Sequence, residues 1–311
     1  MNLDQIYRTK SDYNKSRLLY YISRRIRWMT GDRSPLFAYA KVTKRCNLDC
    51  YYCPWHVGAS KENEAAELST ETWMRKLTEL HKKGIRLVVF EGGEPTLRND
   101  IQELLNHSRN LGMSTILATN GYAKDIWNYT PSAFTISVDG PSNIHNTIRG
   151  RGSYERIIDN LNHKGSERVV IITVITRSNF RVIEEICANL DPLVNGFLFT
   201  FEYNYNASDS TTLSDSEIAE AKLRILSLKK TYPILNPSKY LVRPFNRSDC
   251  KSWLSVSIDS SGILSNDCFV DHIQVPDCDH CELSCYQLLS SFYDFDFEAW
   301  FNLNRMILDE I

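Results

Sequence analysis

Residues 87–119 read LVVFEGGEPTLRNDIQELLNHSRNLGMSTILAT. Two short apolar runs stand at its ends, Leu87–Glu91 and Ser114–Thr119. Both are rich in β-branched or aromatic residues, as buried parallel strands are. Between them Ile101, Leu104, Leu105 and Leu111 fall on one helical face that ends at Gly112. Strand, helix, strand is a βαβ unit, and such units build parallel sheets.

The same alternation continues on both sides. Further strand-like runs are Leu36–Thr43, Ala133–Val138, Val169–Thr176 and Gly196–Glu202. Ser69 caps a helix carrying Trp73, Leu77 and Leu80 on one face, stopped by Gly84. Ser153 is expected to cap another, with Ile157, Ile158 and Leu161, ending at Gly165. Six strands are too few for a closed eight-stranded barrel. The expected fold is therefore α/β, a curved, open (β/α)6 partial barrel. The polar stretch Asn204–Asp215 breaks the pattern and reads as a linker. Ser214 and Glu217 form a capping box for a helix reaching about Lys230. A small cysteine-rich region and an aromatic-rich helical tail follow. The division read from this pattern is a basic N-terminal segment over 1–35, a core over 36–203, a linker and helix over 204–240, and a C-terminal domain over 241–311.

The chain has 311 residues, 42% of them hydrophobic, with a net charge of −2. That suffices for one large domain with an appendage and gives no global bias toward nucleic acid. The charge is uneven, since residues 1–45 hold eleven Lys or Arg against three Asp. The longest apolar run near the N-terminus, Leu18 to Ile22, is too short for a signal core or a membrane span. A cytoplasmic protein is the expectation. Nine cysteines are many for such a chain, and eight of them cluster, within 46–53 and 250–285. Tight clusters in that setting read as metal ligation. Cys187 stands alone in the helical stretch Val182–Leu190 and reads as a small buried apolar residue.

Cys46-Asn-Leu-Asp-Cys50-Tyr-Tyr-Cys53 places three thiolates directly after the first strand. A cubane takes four ligands, so three local cysteines leave one iron open to chelate a small molecule. A structural zinc site instead supplies four ligands, commonly as two C-x2-C pairs. The loop C-x3-C-x-Φ-C, with Tyr52 as the aromatic, resembles the signature of the radical S-adenosylmethionine (SAM) superfamily. The resemblance covers about residues 36–203. It implies a [4Fe-4S] cluster on Cys46, Cys50 and Cys53, SAM chelated to the open iron, and Tyr52 near the adenine.

Other matches follow in order. Glu91-Gly92-Gly93-Glu94-Pro95 ends the second strand, where glycines let a ligand approach the backbone. An ordinary turn is the competing reading. In the family this motif holds the SAM amino group, which implies that role for Gly92, Gly93 and Glu94. Asn120 and Ser137 end the third and fourth strands. Their Asn-Gly and Asp-Gly neighbours suit turns as well as a cofactor rim; the resemblance places both near SAM. His145-Asn-Thr-Ile-Arg149-Gly150 is similar to the H-D-x-x-R-G segment of many relatives, with Asn146 in place of the usual Asp. Arg149 can pair bidentately with a carboxylate, or belong to a basic surface loop.

Cys250, Cys268, Cys278, Cys281 and Cys285 surround a hairpin-like element with Gly262. The spacing C-x17-C, then C-x2-C, resembles the twitch auxiliary-cluster module of relatives of the SPASM group. It implies a second [4Fe-4S] cluster, with Cys281 or Cys285 as fourth ligand, while four thiolates also suit structural zinc. The function implied is reductive cleavage of SAM to a 5′-deoxyadenosyl radical, which takes hydrogen from a small metabolite, a lipid or a peptide. An external one-electron reductant of flavodoxin or ferredoxin type is the implied partner. The alternative class is a non-catalytic zinc-stapled binding protein. Finally, Leu18, Leu19, Ile22, Ile26 and Met29 share one helical face, with Arg17, Arg24, Arg25 and Arg27 elsewhere. This suits a helix lying peripherally on an anionic membrane or one packed against the core.

Overall fold

The computed structural model describes residues 10–53, 67–203, 212–265, 268, 278 and 281–307, with side chains from Tyr20 to Asn302. Most of the proposed linker, residues 204–211, lies outside them, as do the side chains of Arg17, Leu18 and Leu19.

One sheet organises the chain. Its strands are β1 (Phe37–Thr43), β2 (Leu87–Gly92), β3 (Ser114–Thr119), β4 (Ala133–Ser137), β5 (Val169–Ile175), β6 (Gly196–Phe201), β7 (Ser255–Ile258) and β8 (Leu264–Ser265). Their order is β6-β5-β4-β3-β2-β1-β7-β8. All neighbours pair in parallel except β7 with β8, which form an antiparallel hairpin. The barrel stays open, as expected, but eight strands replace the six read from the sequence. The two extra strands come from the cysteine-rich region. β7 reads as isolated Ser-Val-Ser-Ile; it pairs with β1 on one side and β8 on the other.

The helices between strands are α2 (Thr70–Lys82), α3 (Ile101–Asn110), α4 (Ser142–Arg149), α5 (Ser153–Asn162) and α6 (Ile183–Leu190). Ser69 caps α2 by accepting from the Thr72 amide, and Gly84 beyond it has φ +101°. The cap of α5 corrects the sequence reading. Gly152, at φ +78°, precedes the helix, and Ser153 turns its hydroxyl back to the Gly150 carbonyl. Cys187 is buried on α6, and burial pushes its thiol up to about 12. After β6 come α7 (Asp215–Leu228), with the Ser214–Glu217 capping box, and α8 (Ser238–Val242).

Helices near both ends of the chain cover one end of the open barrel. In α9 (Ser284–Tyr293) Leu288 and Leu289 join Phe37, Leu87, Ile116 and Leu198 in a core at the N-terminal end of the strands. α10 (Phe297–Ile307) adds Ala299 to that core. The N-terminal helix α1 (Lys10–Met29) adds Trp28, edge-on to Trp253 at 5.8 Å. So α1 packs on the barrel through Tyr20, Tyr21, Arg24 and Trp28. The aliphatic face named in the sequence reading points outward: Ile22, Ile26 and Met29 are all exposed.

Candidate functional site

The C-terminal ends of β1 to β5 form one rim, where open α/β sheets bind ligands. Below it runs a cavity of about 430 Å³. Cys46, Cys50, Tyr52 and Cys53 lie along its mouth with Gly92, Gly93, Asn120, Ser137 and Arg149. Every residue singled out for the cluster loop and rim therefore meets at one place, except that Glu94 stands just behind it.

The Gly-Gly-Glu segment is tied to the cysteine loop by backbone. The Gly93 amide donates to the Thr43 carbonyl at 2.8 Å, and the Glu94 amide to the Arg45 carbonyl at 2.7 Å. A Cβ on Gly92 would lie 2.2 Å from the Thr43 oxygen, and one on Gly93 would lie 2.1 Å from that of Arg45. Gly92 also has φ +134°. These glycines are needed because another strand of the same chain passes there. Behind the loop Arg98 binds the Val42 and Leu68 carbonyls at 3.1 Å and the Asp100 carboxylate at 2.6 Å. Glu67 pairs with Arg45 and Arg98 at 3.2 Å. The loop thus sits on a buried, charge-paired support.

Glu94 is buried. Its Oε1 accepts from the Thr96 and Thr119 hydroxyls at 2.6 and 2.8 Å, and its Oε2 from the Asn120 amide at 2.7 Å. Burial raises it above the usual carboxylate range against these hydrogen bonds. Asn120 in turn gives its side-chain amide to Asn47 at 2.8 Å and lies 3.9 Å from the Cys46 sulfur.

Arg149 is buried in α4 rather than on a basic surface loop. The carboxylate it pairs with is Asp139, Nε to Oδ2 at 2.6 Å. The Tyr52 hydroxyl donates to the same oxygen at 2.6 Å and also takes Arg149 Nη2. Burial alone would lower the guanidinium's pKa, but Asp139, with Tyr52 and Cys50 adding, outweighs it and holds the charge. Asp139 escaped the sequence reading because Asp-Gly after a strand is ordinary turn chemistry. Its other oxygen accepts from the Val174 amide at 3.0 Å. The triangle Tyr52–Asp139–Arg149 fixes the aromatic of the cysteine loop onto the fourth strand's end. Burial pushes Cys50 up to about 11, with Arg149 opposing and Asp139 and the neighbouring thiols adding.

Inside the lumen Tyr39, Lys41, Glu91, Thr135 and Ser257 are the polar groups, amid Phe37, Val89, Ile116, Ile172 and Leu198. Thr135 is 3% exposed, and its hydroxyl has no partner among the described residues. Cys285 lines the same lumen, on the α9 face that carries Leu288 and Leu289. The Tyr39 side chain hydrogen-bonds it. Cys250, Cys268, Cys278 and Cys281 lie within electrostatic reach of one another, and burial raises Cys250 to about 11 and Cys281 to about 12. Cys285 feels Cys281 and Cys268 and, from the lumen side, Glu91.

Among the described residues no three His, Cys, Asp or Glu side chains converge tightly enough for a single metal ion. Zinc needs its sulfurs at about 2.3 Å. A four-iron cubane holds its thiolates on separate irons and so farther apart. Both cysteine sets are free thiols, a donor set that fits a cluster.

The Radical SAM superfamily model matches residues 40–190. Over 164 residues the chain is 34% identical to the AdoMet-dependent heme synthase of Oleidesulfovibrio alaskensis, covering 48% of this chain and 42% of that protein. Over 86 residues it is 43% identical to the PqqA peptide cyclase of Rhodopseudomonas palustris, covering 28% of this chain and 22% of that one. The chain spans less than half the length of these curated relatives. The crystal structure of Streptococcus suis SuiB bound to S-adenosylmethionine has the same fold, with TM-score 0.64 and 15% identity over 94% of this chain and 74% of that one. None of these likenesses supports the zinc-stapled alternative.

Proposed function

The chain belongs to the radical SAM superfamily, and we propose that it takes hydrogen from an apolar, lipid-like substrate held in the barrel lumen. Cys46, Cys50 and Cys53 hold a [4Fe-4S] cluster whose open iron chelates SAM. Held there, the reduced cluster would supply one electron to the sulfonium of bound SAM, so that its S–C5′ bond would break to give methionine and a 5′-deoxyadenosyl radical.

The protein's own part is to bind, orient and exclude water. Tyr52 is locked by Asp139 and Arg149 to face the adenosyl group. Gly92, Gly93 and Glu94 take the amino group, and Asn120, Ser137 and Arg149 complete the rim. The lumen's apolar wall keeps water from the radical, while Thr135 offers a hydroxyl to a polar group of the substrate. Residues 36–203 form this core and residues 241–311 an auxiliary module. There Cys250, Cys268, Cys278 and Cys281 hold a second cluster, and Cys285 is a wall of the lumen. A cluster held by these four cysteines would supply either an electron acceptor for the substrate radical or a ligand site for the substrate. A flavodoxin- or ferredoxin-type protein supplies the electrons.

The observation that carries the reading is three thiols at the mouth of a mostly apolar cavity. A peptide substrate is the second reading, favoured by the likeness to a peptide cyclase. The test is SAM cleavage by the reduced, anaerobically purified protein. Wild-type chain should form 5′-deoxyadenosine, and the Cys46→Ala, Cys50→Ala, Cys53→Ala triple variant should not. Cleavage at the wild-type rate by that variant would sink the proposal.

A further inference from the structure

We propose that Lys41 and Glu91, side by side on the lumen wall, hold a neutral group of the substrate that both donates and accepts hydrogen bonds, an amide or a hydroxyl on an otherwise apolar molecule. This deepens the proposed function by giving the substrate class, an uncharged amphiphile. It rests on that reading for the lumen being the substrate's place.

Lys41 and Glu91 are register partners at the C-terminal ends of β1 and β2, and both line the lumen. Lys41 is 9% exposed. Glu91 feels its charge, which opposes the rise that burial imposes on the carboxyl. Two charges beside an apolar cavity are costly to desolvate, and the fold does not call for them. Backbone pairing already joins β1 to β2 from Phe37 to Thr43. The cysteine loop takes its charged support from Arg98 and Glu67 instead.

Little else on the wall carries charge. Arg149 spends its own on Asp139. Burial raises the Cys285 thiol and the Tyr39 hydroxyl, which bond each other and stay protonated. Thr135, Ser137 and Ser257 are hydroxyls. Below the cysteine mouth, and apart from the Arg149–Asp139 pair, the charge of the described wall therefore comes from Lys41 and Glu91 and sums to zero.

That balance selects the ligand. A carboxylate placed here would gain Lys41 but face Glu91, and an ammonium the reverse; in a cavity of low polarity such repulsion is strong. A neutral amide meets both, its N–H donating to Glu91 and its carbonyl accepting from Lys41. A hydroxyl does the same with one oxygen. The rest of the molecule then lies against Phe37, Leu87, Ile116, Leu198, Leu288 and Leu289, which are all apolar.

The test is calorimetric titration of the reconstituted, SAM-loaded full chain with octanamide, octanoate and octylamine, which share a hydrocarbon body and differ in the charge of the head. Wild type should bind octanamide about tenfold more tightly than either ion, the cost of one mismatched charged group. Glu91→Gln should turn the preference toward octanoate, and Lys41→Met toward octylamine. The exchanged pair, Lys41→Glu with Glu91→Lys, should restore the preference for the amide, and circular dichroism checks that each variant is folded. Where a single substitution unfolds the chain, wild type and the exchanged pair carry the comparison. A wild type that prefers an ion, or binds none of the three, overturns the proposal, as does one ranking shared by wild type and both single variants. So does loss of SAM binding in the variants with the probe ranking unchanged, which would give the pair to the cofactor. An amide preference in a chain that does not cleave SAM would count against the catalytic reading alone.

Discussion

Lowering the pH from 7 to 5 should cost the fold about 2 kcal/mol through His145 alone. The ring is wholly buried in α4, edge-on to Tyr154 at 5.8 Å. Its Nδ1 accepts the Asp139 amide at 3.1 Å, so the proton sits on Nε2. Nε2 has no partner among the described residues. Burial, then the Arg149 guanidinium alongside, disfavours a second cation there, and the pKa falls from 6.5 to about 4. A folded-state pKa below the unfolded one means that the unfolded chain binds the extra proton between those values. The contribution to stability is therefore complete above about pH 6.5 and is lost as the pH falls toward about 4. The whole shift amounts to about 3 kcal/mol. At pH 5 the unfolded ring is almost fully protonated and the folded one about a tenth, which gives the 2 kcal/mol. The assay is urea unfolding of wild type and His145→Gln at both pH values, since the amide oxygen of Gln can still accept from Asp139. Acid effects common to both proteins cancel in the comparison. Wild type should lose about 2 kcal/mol more than the variant; equal losses would refute a neutral His145 in the folded state.

Gly93→Ala should leave the three-cysteine site without iron, because its Cβ would sit 2.1 Å from the Arg45 carbonyl, one residue before Cys46. Iron per chain should fall by about half, while a Gly165→Ala control, which meets only the flexible Glu167 side chain, keeps its full content. Cys281→Ser should remove the second cluster's iron and Cys285→Ser should keep it, as read by iron and sulfide analysis of each variant; the reverse order would place Cys285 among the ligands.

The strand–helix alternation and the cysteine spacing are local patterns; the first led to the open α/β barrel and the second to Cys46, Cys50 and Cys53, while the rim of Gly92, Asn120, Ser137 and Arg149 was expected only through the resemblance to a known family. Both patterns are encoded over a few residues, through side-chain periodicity and ligand spacing. Asp139 was invisible as a functional group because its meaning lies in Tyr52 and Arg149, 87 and 10 residues away. The hairpin around Gly262 was legible and is the β7–β8 pair, but that β7 joins the sheet beside β1 was not, because a four-residue strand does not specify the edge it completes. The position of Cys285, lining the lumen while still close to Cys281 and Cys268, follows from α9 turning that face inward. The aliphatic stripe of α1 was legible as a stripe, but periodicity cannot say which side of a helix meets the core. That was decided by Trp28, Tyr20 and Arg24 finding partners on the barrel, which left Ile22, Ile26 and Met29 facing out.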